Sequence, residues 1–234
     1  MSSIVDPRVQ WPIEFAKVIS CAKCSKATDR NLMRDTDENV PQPGYIGKAY
    51  AQTGLLLVGQ NPYVPNAELA AEDRVYTAAL RALRDAPTEQ AYADLQVILR
   101  RFVPKWPVQK NYFPLLECGL TLDDIAYMNL VRCRTGKDKA PNDKTVTECQ
   151  RMHFEPWLEK LQPTCVVFIG VWSYNKSRMA VNPRNIPCAI INRQRSLRRS
   201  ERIANRTEVV EFVRKNLRPA PTATPPSFTM RAAT

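Results

Sequence analysis

Gly54-Leu55-Leu56-Leu57-Val58-Gly59-Gln60-Asn61-Pro62 is the stretch that decides the fold. Its apolar run is too short for a buried helix and has the composition of a strand covered on both faces. The Gly-Gln-Asn-Pro turn ends it. Working outward, Cys165–Ile169 is a second such run, closed by Gly170. Residues 125–131 form a third, interrupted by the polar Asn129, and Cys188–Ile191 is a fourth. Helical patterns lie between and around them. Residues 67–84 place Leu69, Tyr76, Leu80 and Leu83 at helix-like spacing, and 89–102, 145–161 and 206–217 behave alike. Strands alternating with helices predict an α/β fold with helices on both faces of a sheet. Such sheets bind ligands at the carboxyl ends of their strands. Asn61, Asn129 and Asn192 fall at or near those ends. Residues 36–53, with Pro41, Pro43, Gly44 and Gly47, read as a loop. Residues 220–234, rich in Pro, Thr and Ala, read as a disordered tail, leaving 1–219 as a single domain.

The 234 residues suit one domain, and a hydrophobic share of 44% supplies a core that a disordered chain would lack. No apolar run reaches the roughly 18 residues of a membrane span, and the first residues do not resemble a secretory signal. A soluble, cytoplasmic monomer is expected, with no membrane partner. Lys and Arg number 34 against 23 Asp and Glu, a formal net charge of +11. That excess favours a polyanion, nucleic acid first. It is clustered: residues 193–206 hold six Arg and one Glu.

Seven cysteines are an odd number, and an intracellular chain is not expected to pair them as disulfides. Cys21-Ala-Lys-Cys24, in a helix-like basic stretch, is half of a zinc site, half of a cluster site or a redox pair. Cys133 follows the third strand, and Cys149 sits near a helix start. Four thiolates from these separated pieces suit either zinc or an iron–sulfur cluster. Cys165 and Cys188 lie in apolar strands and read as buried and inert. Cys118 is the substitute ligand should one of the four be wrong.

The order of these pieces resembles the iron–sulfur uracil-DNA glycosylases, the family-four type and its relatives. They read Cys21-Ala-Lys-Cys24, Gly59-Gln60-Asn61-Pro62-Tyr63, Asn129-Leu130-Val131-Arg132-Cys133-Arg134, Glu148-Cys149 and Val166–Gly170. The likeness spans roughly residues 18–195. It implies a [4Fe–4S] cluster on Cys21, Cys24, Cys133 and Cys149, with zinc as the alternative. It further implies a three-layer fold on a four-stranded parallel sheet, and a pocket for a base flipped out of DNA. In that family the turn at Gln60 and Asn61 places the attacking water. An amide does not titrate usefully, so Asn61 orients water and is not a general base. Tyr63 would contact the base and exclude a thymine methyl. Asn129 would read the base edge, and Tyr76 or Phe113 would stack on it. Relatives carry a His after the last strand; here that stretch is Ile191-Asn192-Arg193-Gln194-Arg195-Ser196. Asn192 or Arg193 is the substitute for stabilising the base anion. Arg193, Arg195, Arg198 and Arg199 would grip phosphates at the minor groove. The only histidine, His153, is expected to be a surface or core residue. The expected activity is removal of uracil or a related altered pyrimidine. The alternatives are a DNA-binding protein of little activity on the same fold, and an unrelated zinc protein.

Overall fold

The computed structural model describes residues 9–24, 28–33, 39–62, 64, 67–105, 116–136, 139–192 and 198–218. The sheet has five strands: β1 (Tyr45–Ile46), β2 (Leu55–Gly59), β3 (Ile125–Asn129), β4 (Cys165–Ile169) and β5 (Cys188–Ile191). Their spatial order is β1-β3-β2-β4-β5. The last four run parallel, and β1 is antiparallel on the β3 edge, with Tyr45 opposite Tyr127. The α/β expectation holds, with one strand added to the expected parallel four. That strand and the short helix α2 (Tyr50–Thr53) lie within the residues expected to form a loop.

All five residues of β2, β3 and β4 are buried. This is the pattern of strands covered on both faces, and it explains why β-branched and Leu residues run consecutively there without polar alternation. The edge strand β5 is only partly covered. Among the described residues, seven longer helices complete the fold: α1 (Trp11–Ile19), α3 (Ala70–Asp85), α4 (Glu89–Phe102), α5 (Asp143–Cys149), α6 (Glu155–Leu161), α7 (Val171–Val181) and α8 (Arg199–Asn216). Helices α1, α3 and α4 pack together, while α7 and α8 pack on β4 and β5. No helix among the described residues is long and apolar enough to cross a membrane.

Local chemistry sets several boundaries. Gly54 takes a positive φ of 68° after α2 and donates its N–H to the Tyr50 carbonyl, so the chain reverses directly into β2. Asn142 caps α5, its side-chain oxygen accepting from Thr145 N at 2.8 Å. Helix α5 continues into α6 through a π turn at Gln150–Phe154, where Glu155 donates to Gln150 O. Pro156 offers no N–H and its ring crowds the preceding turn, which accounts for the widening.

Since β2 is the first of the parallel strands in the chain but lies between β3 and β4, the connections leave it in opposite directions. That makes the carboxyl ends of β2 and its neighbours a crevice.

Candidate functional site

Two asparagines come together at this end of the sheet. Gly59 pairs with Asn129 in the parallel register of β2 and β3. Pairing continues past the strands, with Leu130 N donating to Gly59 O and Val131 N to Gln60 O. Asn129 is buried at 6% exposure and shares a face of β3 with Tyr127 two residues earlier. The Tyr127 hydroxyl donates to Asn129 Oδ1 at 2.9 Å. That contact turns the amide so that the Nδ2 hydrogens remain for a ligand, and among the described residues no acceptor takes them. Gly59 makes the arrangement possible. A Cβ there would lie 2.4 Å from Asn129 Oδ1 and 2.9 Å from the Tyr127 hydroxyl.

Asn61 is fixed with the opposite polarity. Its Nδ2 donates to Pro62 O at 3.2 Å and to Thr135 Oγ1 at 3.0 Å. The Thr135 hydroxyl in turn donates to Lys139 O at 2.6 Å, so it can only accept from Asn61. Asn61 Oδ1 is left as the free acceptor among the described residues. The crevice therefore holds one oriented acceptor and one oriented donor, on neighbouring strands. Gln60, half-buried, lies between Gly59 and Asn61 in sequence, and Tyr63 lies outside the described residues.

Asn192 ends β5. Its N–H donates to Asn205 Oδ1 at 2.7 Å, and Asn205 Nδ2 donates to Ile190 O at 3.0 Å. Helix α8 thus clamps the strand end through a residue the sequence reading did not single out. Arg193, Arg195 and Phe113 fall outside the described residues. Arg198 and Arg199 are exposed, as is Arg202, and among the described residues no carboxylate pairs with these three side chains. Arg206 differs, forming a two-pronged pair with Glu117. Tyr76 does not serve as an open stacking platform. Its ring is fully buried in α3 and packs 5.5 Å from Phe102, because the helical stripe that revealed it is the core-facing stripe. His153 is a core residue, 5% exposed and neutral. Burial, helped by the Arg132 charge, lowers its pKa to about 4.

The cysteines divide into two groups. Cys24, Cys133 and Cys149 come together. The Cys149 thiol is held protonated, its pKa pushed well up by a hydrogen bond with Cys24, by burial and by the nearby Cys133. Cys21 lies three residues before Cys24, on the irregular segment that leaves α1, rather than on the helix expected there. That segment is stitched to the loop joining Cys133 to Cys149. The buried Asp29 carboxylate accepts from Asn31 N at 2.9 Å and Asn142 N at 2.8 Å. Asn31 Nδ2 donates to Ala140 O at 2.9 Å, and Met33 N to Arg134 O at 2.9 Å. Among the described residues no three His, Cys, Asp or Glu side chains form a ready-made ligand group around a single ion. Next to these thiols lies a buried guanidinium.

That guanidinium is Arg132. It is completely buried, and its Nη1 donates to Pro43 O at 2.6 Å and its Nη2 to Met128 Sδ at 3.1 Å. It stacks 4.7 Å from the Trp157 ring, and among the described residues its Nε has no partner. The next arginine, Arg134, is also buried but forms a bidentate pair with Asp73 on α3. Four thiolates binding a cluster or zinc leave an anionic centre, which fits beside a buried cation without a carboxylate.

Cys118, Cys165 and Cys188 form the second group, away from these thiols. Burial pushes Cys165 up to about 12 and Cys188 up to about 11. Cys118 lies near enough to Cys165 to influence its thiol. No known family model matches the chain, and no curated protein matches it.

Proposed function

We propose that the protein is a DNA glycosylase that removes uracil, or a related altered pyrimidine, from DNA. The observation that carries this reading is the pair of carboxamides at the ends of β2 and β3, held with opposite hydrogen-bonding polarity. Asn129 Nδ2 would donate to a carbonyl on the edge of a flipped base. The same donor stabilises negative charge on that base as its bond to the sugar breaks. Asn61 Oδ1 would accept a hydrogen from water and aim the water oxygen at the sugar. The bond between C1′ and the base nitrogen breaks with its electron pair leaving on the base. Water oxygen bonds to C1′, and the proton that water loses ends on the departed base. Asn61 supplies position and not basicity, which implies slower chemistry than a carboxylate would give.

The resemblance and the converging thiols support a [4Fe–4S] centre on Cys21, Cys24, Cys133 and Cys149, with zinc as the alternative. Its contribution would be structural: it ties the N-terminal segment to the elements that carry Asn61 and Asn129. The exposed Arg198, Arg199 and Arg202 offer unneutralised charge for the DNA backbone. A second reading, DNA binding without excision, is favoured by one fact: the only histidine is buried and so does not stand at the end of β5.

Incubation with single- and double-stranded oligonucleotides containing one uracil, followed by alkaline cleavage at abasic sites, decides between them. The expected result is excision by the wild type, reduced about 100- to 1,000-fold in Asn61→Ala and in Asn129→Ala under single-turnover conditions. DNA affinity should stay within about threefold, since neither residue contacts phosphate. Tight, salt-sensitive binding with no excision overturns the glycosylase reading and leaves the binding one.

A further inference from the structure

A buried arginine normally finds a carboxylate, as Arg134 does with Asp73. Arg132 does not. Among the described residues its contacts are a carbonyl, a thioether and an aromatic face, all neutral. Removing a cation from water with only neutral partners is unfavourable, and the unpartnered Nε adds to that cost. The ionisable groups near enough to influence it are Cys149, Tyr127, Tyr76 and the buried, neutral His153. Both tyrosines are buried phenols, and burial raises Tyr76 to where it stays neutral. Arg132 directly precedes Cys133 in the chain, and thiols become lasting thiolates when they bind a metal. The backbone N–H of Arg132 also donates toward the Cys149 sulfur.

We propose that Arg132 is the internal counter-cation of an anionic thiolate-bound metal centre, holding the metal in place and, for a cluster, raising its reduction potential. This rests on the ligand reading of Cys21, Cys24, Cys133 and Cys149. Four thiolates around a divalent zinc ion or an oxidised cubane leave about two net negative charges. A fixed positive charge beside them opposes loss of the metal. It also favours the state with one more electron, so a neutral residue in its place should move the midpoint to more negative values. The cation–π contact ties the same guanidinium to α6, so the charge is held in one position rather than swinging to solvent.

The test uses full-length protein purified without oxygen, and the variants Arg132→Lys, Arg132→Gln and Arg132→Met. Iron and zinc are counted first, then metal release to a chelator is timed and, for iron, the midpoint is measured by optical titration. The neutral variants should release metal about 10- to 100-fold faster than the wild type and show the more negative midpoint. The lysine variant should release within a few-fold of the wild type. Circular dichroism identifies which neutral variant folds, and either one suffices for the comparison. Neutral and lysine variants that hold metal equally well, at one midpoint, overturn the role of Arg132. Wild-type protein that binds neither iron nor zinc fails earlier and strikes the cysteine reading itself, independently of excision activity.

Discussion

The two groups of cysteines show how little a count of thiols says about their chemistry. Cys165 and Cys188 open neighbouring parallel strands, and their thiols are raised chiefly by burial. They behave as small apolar side chains filling space. Cys24, Cys133 and Cys149 are as well buried, but come from three separated pieces of chain and lie beside a cation that has no acid. Burial alone does not distinguish the groups. Their convergence and the sign of the surrounding charge do.

The largest effect expected from this contrast is on metal content. Cys133→Ser and Cys149→Ser should lose most bound iron, while Cys165→Ala and Cys118→Ser should keep the wild-type amount, as read by elemental analysis and visible absorbance. Equal losses on both sides would erase the distinction. A smaller effect concerns pH. His153 is neutral in the folded protein with a pKa of about 4, lowered first by burial and then by Arg132. Its folded pKa lies below the usual 6.5, so unfolded chains take up its proton first as pH falls. Stability is therefore full above pH 6.5 and is lost towards pH 4, by about 2 kcal/mol at pH 5. Urea unfolding at pH 7.5 and pH 5 should show that loss in the wild type, and His153→Phe should lack this part of the pH dependence.

The smallest effect separates two threonines, one beside each group. Thr135→Val releases the Asn61 amide while leaving the thiols in place, so excision should fall about tenfold with metal content unchanged. Thr164→Val removes the hydroxyl that bonds Thr53 O beside Cys165. It should cost about 1 kcal/mol of stability and leave excision unaltered. Single-turnover assays and thermal melts on the same two preparations read both.

How much of this could be read in advance depended on the length scale of the signal. Strands β2, β4 and β5 were legible because continuous apolar runs between breakers have few other readings. The two residues of β1 and four of α2 are too short for any periodicity, and only pairing with β3 defines Tyr45–Ile46 as a strand. Helix α8 begins at Arg199, not at residue 206, because its first half is charged and offers no apolar stripe. Its start is marked by Glu201, which accepts from Arg198 N at 2.6 Å. Asn61 and Asn129 stood out as polar residues at strand ends, but the orientation of each amide is set by Thr135 and Tyr127. The Asn61–Thr135 contact joins positions 74 residues apart, which no local pattern encodes. Arg132 carries no signal of its own in the sequence, where it is one residue of the Asn129–Arg134 stretch. Only its complete burial without an acid marks it out.

The stitching of Asp29 and Asn31 to Ala140 and Asn142 also has a consequence for the order of events during synthesis. These contacts join residues 109 and 113 positions apart, so the chain bearing Cys21 and Cys24 has no partner until the far side of the loop exists. At roughly 5–20 residues per second, a ribosome takes about 6–25 s to travel from Cys24 to Cys149. Throughout that interval the first two thiols sit on a nascent chain with nothing to shelter them. The thiol site thus cannot close before Cys149 has been made. A newborn chain exposed to oxidant should be damaged at Cys21 and Cys24 far more readily than the finished protein.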